Sequence, residues 1–314
     1  MDNLRTFLVV NPRSGNGSVE RRWGEIASTV REAFGSYEHA FTTGPEDATR
    51  IARRALEDGF ELVVALGGDG TLNEVVNGFF DAAGAPVNPG AALGVIPVGT
   101  GGDFRKTLGL PNDIRAAAAA LRGRAVLQAD VGRLSLVDGQ GQPRTRHFMN
   151  IASFGIGGLV DHIVNTTSKA LGGRLSFFLA TARAAIAYRN QPVRLSFDGE
   201  APIELRINNV AVANGQYFGG GMHIAPKARL DDGFFDVVAI GDLSALDLAL
   251  KMRHVYAGTH LDMPKVLYRR ARHVKAEPVD PAAKVLLDVD GEQPGAIPSI
   301  FELLPGAVRV KIAE

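Results

Sequence analysis

Residues 61–78 read ELVVALGGDGTLNEVVNG, a short apolar run that meets a glycine turn and then a helical pattern. The run 61–66 carries Leu62, Val63, Val64 and Leu66 and is bounded by a glycine pair, which predicts a buried strand. In the turn, Gly67, Gly68 and Gly70 lack Cβ atoms, so the backbone can take positive φ and a ligand can approach closely. From 71 to 80, Leu72, Val75, Val76 and Phe79 recur at helical spacing. The first N–H groups of that helix then point back toward the turn, an arrangement that suits a phosphate. Asp69 needs a separate reason. A carboxylate among N–H groups repels phosphate unless a cation lies between them, so Asp69 implies Mg²⁺ and a nucleoside triphosphate. The structural alternative is a strand-to-helix turn whose aspartate caps the helix.

Working outward, residues 5–10 predict a first strand, broken by Asn11-Pro12-Arg13-Ser14-Gly15-Asn16-Gly17 before a helix at 18–34. Gly44-Pro45-Glu46-Asp47 opens another helix that Gly59 follows. Beyond a loop at 81–92, a buried strand at 93–96 runs into Pro97-Val98-Gly99-Thr100-Gly101-Gly102-Asp103-Phe104, a second glycine turn ending in an aspartate. An alanine-rich helix occupies 112–122. This alternation predicts a parallel, three-layered α/β sheet, in which ligands sit beyond the carboxyl ends of the strands. From about 125 the pattern changes. Segments 125–137, 144–152, 193–197, 203–213, 234–240, 265–277 and 284–289 read as strands, with helices at 174–188 and 244–256. An antiparallel sandwich with helical insertions follows, and a last strand at 308–312 is a candidate to return to the first domain.

Composition excludes several function classes. The chain has 314 residues, with 34 basic against 34 acidic, so no global field draws it to nucleic acid or to an anionic membrane. It has no cysteine, which removes disulfides, thiolate zinc sites and cysteine nucleophiles and fits a reducing cytoplasm. The histidines show no ligand spacing, no signal peptide is legible, and no window is long and apolar enough to span a bilayer.

Five stretches, NPRSG at 11–15, GGDGTLNE at 67–74, PVGTGGDF at 97–104, ANGQYFGGGMHIAP at 213–226 with RLDDGFFDV at 229–237, and DVDGE at 288–292, together resemble the diacylglycerol and sphingosine lipid kinase superfamily, in its soluble bacterial diacylglycerol kinase-like branch. The resemblance covers nearly the whole chain. It implies an α/β nucleotide-binding domain of the NAD kinase/phosphofructokinase-like kind at 1–124, with 307–314 as its candidate last strand. A C-terminal antiparallel β-sandwich substrate domain would occupy 125–306, the active site lying in the cleft between. By position, the ATP contacts it implies are Asn11, Pro12, Arg13, Ser14, Gly15, Thr42, Gly67, Gly68, Asp69, Gly70, Thr71, Leu72, Asn73 and Thr100. Asp69, Asp103 and Asp130 would form a linked acidic network for Mg²⁺. A second, structural Mg²⁺ would lie on Asp232 and the carbonyls of Arg229 and Phe234, where the plain reading is a hairpin turn. Glu292 resembles the family's base, with Asp290 assisting, although either carboxylate could take the proton; on spacing alone Asp-Gly is a turn signal.

Two departures stand out: Gly102 replaces a common Asn, and Asn16 stands where a Lys is frequent, leaving Arg13 as the nearest cation. The implied reaction is transfer of the γ-phosphoryl group of ATP to the hydroxyl of a lipid alcohol such as diacylglycerol, by a cytoplasmic protein working at the inner face of the membrane. A homodimer remains open. Phe177, Phe178 and Leu179, with Arg174, Arg183 and Arg189, are candidates to meet lipid, against a plain core helix, which is preferred. Arg269 to Lys275 reads better as an edge strand protected by charge than as a lipid contact. The rivals are an NAD kinase-like or small-alcohol kinase, which the YFGGG and DDGFFD stretches disfavour, and a non-catalytic regulator, which the retained acids disfavour.

Overall fold

The computed structural model describes residues 4–99, 102–138, 140–160 and 188–313. The chain divides into two compact units, Met1–Val131 with Pro305–Glu314, and Gly132–Leu304.

In the first unit, strands β1 (Thr6–Val10), β2 (Glu38–Phe41), β3 (Leu62–Gly67) and β4 (Ala92–Pro97) are parallel in the order β2-β1-β3-β4. Arg309 and Val310 extend the sheet beside β4. The chain runs one way from β1 to β2 and then crosses back to β3, so the topological switch lies between β1 and β3, where open α/β sheets bind ligands. Every residue of β3 is buried, as a strand covered on both faces requires. Its alternation divides the cover. Leu62, Val64 and Leu66 join one core cluster with Ile26, Val30 and Phe34 of a helix α2 (Trp23–Phe34) and with Ala118 and Leu121 of and after a helix over Ile114–Ala120. On the other side α3 (Asp47–Glu57) and α4 (Asp69–Gly78) pack together and against the sheet. The three-layered α/β reading therefore holds. Gly78 is what lets these two helices approach: a Cβ there would come within 2.7 Å of Ala52 Cβ and of the Thr49 carbonyl. Gly78→Ala is therefore expected to destabilise the unit by about 1–3 kcal/mol through overpacking, read as a lower urea midpoint at unchanged slope.

Local details depart from the sequence expectations. The helix predicted at 18–34 is two: α1 (Ser14–Arg21), interrupted by left-handed Gly15, Asn16 and Gly17, and α2. Asn16 sits at φ +56°, a conformation that Asn adopts more readily than most residues. Gly67, Gly68 and Gly70 do not use the positive φ that glycine permits. The glycine at 67 is needed for room instead, because a Cβ there would lie 2.5 Å from Thr71 Oγ1.

Among the described residues the strands of the second unit pair antiparallel. In it, the Gly132–Val137 part of β5 (Val126–Val137) pairs with β6 (Pro143–Phe148), β7 (Ile151–Gly155) pairs with both β9 (Ile203–Ala213) and β13 (Leu287–Val289), and β9 also pairs with β8 (Gln191–Phe197) and β10 (Phe235–Gly241). β12 (His273–Pro278) lies between β8 and the Ser299–Glu302 stretch. Its core stacks Phe148 on Phe235 and Phe154 on Phe301 at centroid distances of 5.6 and 6.0 Å. Two predicted strands are each broken in two. Segment 144–152 divides at Met149 and Asn150, whose main chain binds Asn214 and Gly215, and 265–277 divides at Arg272. The helix predicted at 244–256 is found at Ala245–Ala257, closed by a capping box of Ser244 and Asp247. The helix predicted at 174–188, with Arg174, Phe177, Phe178, Leu179 and Arg183, lies outside the described residues. Among the described residues β11 (Val266–Ala271) pairs only with β10 and is an edge, carrying Arg269 and Arg270 as a charged edge should, whereas His273, Val274 and Lys275 lie in β12 with a partner strand on each side, so the edge expected over 269–275 ends at the break.

Candidate active site

The carboxyl ends of β1, β2, β3 and β4 are adjacent, and each runs into a residue singled out from sequence: Asn11, Thr42, Gly68 and Val98. The main chain ties them in register, Asn11 N–H to Leu66 O at 3.1 Å, Thr42 N–H to Val10 O at 2.9 Å and Val98 N–H to Gly67 O at 2.8 Å. Side chains add to this. Asn11 Nδ2 donates to Thr71 Oγ1 at 2.9 Å, and Asn11 Oδ1 accepts from Arg13 N–H at 3.0 Å, so the first glycine-rich turn is fastened to the start of α4. Thr71, Leu72 and Asn73 are buried; they support the turn from behind. Pro12, Ser14, Gly15 and Gly70 stay partly accessible around it, and Arg13 is exposed. Thr100 lies outside the described residues.

Asp69 is the first residue of α4 and Gly68 its N-cap, with no side-chain cap, so the helix-capping alternative does not describe this aspartate. Its carboxylate instead crosses to the next turn, where Oδ2 accepts from the N–H groups of Gly102 at 3.0 Å and Asp103 at 3.1 Å. Gly102 is left-handed at φ +68°, the conformation this N–H geometry uses at the start of the short helix Asp103–Thr107. Burial pushes the Asp69 carboxyl above the usual carboxylate range and the nearby Asp103 charge adds to it, against the lowering effect of the main-chain N–H groups. A carboxylate raised by burial beside a glycine turn at a helix start fits a divalent cation, which would stabilise its ionised form.

The other acids are committed differently. Asp103 is 4% exposed and its Oδ1 accepts from Lys106 Nζ at 2.8 Å, a partner that the i, i+3 spacing of the two residues could have signalled. Asp130 is buried, with Oδ1 accepting from Gly306 N–H at 2.8 Å. Among the described residues no group of three or more His, Cys, Asp or Glu side chains is placed to hold a metal ion. Asp69 and Asp103 are thus brought together through main-chain N–H groups, while Asp130 is anchored to the last strand. At the 229–234 turn, Asp232 Oδ1 accepts from Phe234 N–H at 3.2 Å, and its Oδ2 is paired with Arg270. Arg272 donates to Gly233 O, and both guanidinium groups cover the Phe234 ring at 4.4 and 4.7 Å. Arg229 pairs with Asp231. In this structure the Asp232 carboxylate is thus met by a guanidinium and by the Phe234 N–H.

In the second unit, Asp290-Gly291 forms a two-residue hairpin turn. Both residues are left-handed, at φ +51° and +89°, and Val289 and Glu292 exchange N–H to carbonyl bonds of 2.8 and 3.0 Å. This is the type I′ turn that Asp-Gly favours. Both Asp290 oxygens are engaged by main chain: Oδ1 accepts from Ile151 N–H at 2.9 Å and Oδ2 from Met149 N–H at 3.3 Å.

Comparison with known proteins settles the lineage. The diacylglycerol kinase catalytic domain matches residues 5–134, and the YegS C-terminal NAD kinase beta sandwich-like domain matches residues 150–312. The chain is 31% identical to a diacylglycerol kinase of Bacillus subtilis, over 95% of this chain and 92% of that one. The chain belongs to the diacylglycerol kinase family. Another family member, from Staphylococcus carnosus, is 30% identical over 98% of this chain and 94% of its own. A solved diacylglycerol kinase structure from Bacillus anthracis superposes with a TM-score of 0.74 at 26% identity, covering 98% of this chain and 96% of that one. The yeast NADH kinase complexed with NADH shares the fold, at a TM-score of 0.52 and 13% identity, over 99% of this chain and 84% of its own. As a diacylglycerol kinase family member the protein is a phosphotransferase with an alcohol acceptor. Among the described residues no helix is long and apolar enough to cross a membrane.

Proposed function

We propose that the protein transfers the γ-phosphoryl group of ATP, with Mg²⁺, to the free hydroxyl of diacylglycerol presented at a membrane surface. The observation that carries this reading is the fastening of three turns, Asn11 to Thr71 and Asp69 to Gly102 and Asp103, at the carboxyl ends of one parallel sheet. Main-chain N–H groups there would hold phosphate oxygens, and Asp69 would hold Mg²⁺, directly or through water, with Asp103 near it. When bound, the ion would neutralise the charge that develops as the phosphoryl group moves.

The chain's own residues do the rest. Loose phosphoryl transfer demands positioning first, with the hydroxyl in line and its proton accepted late. Asp290 is a poor acceptor for that proton, because both of its oxygens already serve the main chain of residues 149–151. Glu292, two residues further along the same turn, takes the role of base, and Asp290 holds the turn that carries it. The lipid acceptor is supported by the match of the second unit to the sandwich domain of the family and by the names of its relatives.

The test is transfer from γ-labelled ATP to diacylglycerol, sphingosine, NAD and glycerol in mixed micelles, with Mg²⁺ and with chelator. Label in diacylglycerol that depends on Mg²⁺ is the expected result. Label in NAD or glycerol alone would leave the phosphate cradle standing and overturn the lipid acceptor.

A further inference from the structure

Behind the Asp290-Gly291 turn lies a buried carboxylate that the proposed chemistry leaves unused. Asp288 is 8% exposed and stands directly opposite Ser153, which is fully buried, in the β13–β7 pairing. Its neighbours Leu287 and Val289, like Ala152 and Phe154 across the pair, belong to the sandwich core. By strand alternation Asp288 and Ser153 therefore share the opposite face. Ser153 Oγ donates to Asp288 Oδ2 at 3.2 Å, and Asp288 Oδ1 accepts from Gly291 N–H at 2.9 Å. Gly157 closes over the pair: a Cβ on it would lie 2.7 Å from Ser153 Oγ and 3.7 Å from Asp288 Oδ2, and its N–H donates to Asn209 Oδ1 at 3.2 Å.

A carboxylate is costly to bury, and a strand position opposite serine would be filled more cheaply by a neutral residue. What the carboxylate does is take the Gly291 N–H. Types I′ and II′ differ by a flip of the peptide between the two central residues, and that flip reverses the direction of this N–H. A group that accepts it in the I′ orientation selects that turn and fixes the direction in which the following residue leaves. The residue that follows is Glu292.

We propose that Asp288, oriented by Ser153, is a positioning residue for phosphoryl transfer: it locks the 290–291 turn so that the Glu292 carboxylate is aimed at the acceptor hydroxyl. The proposal rests on the reading of Glu292 as the base. Its effect belongs in kcat, since neither residue is part of the phosphate cradle.

The experiment compares Asp288→Ala, Asp288→Asn and Ser153→Ala with Glu292→Gln, measuring kcat and the KM of ATP and of lipid, with thermal unfolding of each variant. Asp288→Ala is expected to lower kcat by about 10- to 100-fold, the scale of a misplacement near 1 Å, with the KM of ATP within about 2-fold. Asp288→Asn is expected to recover kcat to within about 3-fold of wild type, because an amide oxygen still accepts from Gly291 while the amide N–H₂ donates to Ser153. Asp288→Ala added to Glu292→Gln is expected to cost nothing further. A folded Asp288→Ala with wild-type kcat overturns the proposal, as does an Asp288→Asn no better than Asp288→Ala, or a loss confined to KM. If Asp288→Ala does not fold, Ser153→Ala decides: a several-fold drop in kcat supports the proposal, and a wild-type kcat overturns it. An active Glu292→Gln is a different failure, because it removes the base itself, whereas an inactive Glu292→Gln beside an active Asp288→Ala removes only the positioning.

Discussion

Replacing Glu292 by Gln is expected to lower kcat for phosphoryl transfer by about 10²- to 10⁴-fold, the range that a positioned general base contributes. The KM of ATP should hardly move. Gln keeps the size of the side chain and leaves the turn intact, because the bonds that build it come from main chain, from Asp290 and from Asp288. The thermal midpoint is therefore expected to stay close to wild type. Asp290→Asn separates the two carboxylates. Its remaining oxygen can serve one of the two N–H groups of Met149 and Ile151, while the new amide N–H₂ faces the other as donor to donor. That variant should lose stability as well as rate, whereas Glu292→Gln should lose rate alone. Equal kcat for wild type and Glu292→Gln, measured under saturating ATP and lipid, would remove Glu292 from the mechanism and return the proton to Asp290 or to solvent.

How much of this could be read before the fold was seen depends on which physical signal each part carried. The parallel sheet was legible because β3 and β4 are continuous apolar runs and the helices between them repeat at 3.6 residues, signals that survive tertiary context. The positions of the glycine turns at the strand ends were legible for the same reason. Their conformation was not: glycine permits positive φ, but it also permits close approach, and at Gly67 the second use applies because Thr71 needs the space. Strands 144–152 and 265–277 hid their interruptions, since Met149, Asn150 and Arg272 fit the strand pattern and the breaks come from distant partners at Asn214 and Gly233. The same limit applies to charge. Nothing local to RLDDGFFDV announces that Arg270, 38 residues beyond Asp232, supplies its cation. Asp288 stands in DVDGE without a signal of its own, because alternation along a strand cannot tell a buried polar face from a solvated one until Gly157 closes over it.

Asp69→Asn should move stability and activity in opposite directions. Burial raises the Asp69 carboxyl above its usual range, so in the absence of nucleotide and metal the folded state holds that proton more tightly than the unfolded chain does. The linkage has a definite sign. Stability contributed by this group is fully present below the unfolded-state pKa and is lost as pH rises through the raised folded-state pKa. Asn carries no charge to desolvate, and its oxygen can still accept from the N–H groups of Gly102 and Asp103. The variant is therefore expected to show a higher thermal midpoint than wild type at pH 7, and the advantage should shrink on acidification, when Asp69 itself becomes neutral. Activity should fall by about 10²- to 10³-fold, the scale for losing one electrostatic partner of a developing charge. The apparent requirement for Mg²⁺ should rise as well. Melting curves of the free protein from pH 4 to pH 8, set beside Mg²⁺ titrations of lipid phosphorylation, test both halves. A variant that is less stable at every pH would mean that Asp69 is a structural tie between the two glycine turns. A variant that is more stable yet fully active would take the metal away from Asp69 altogether.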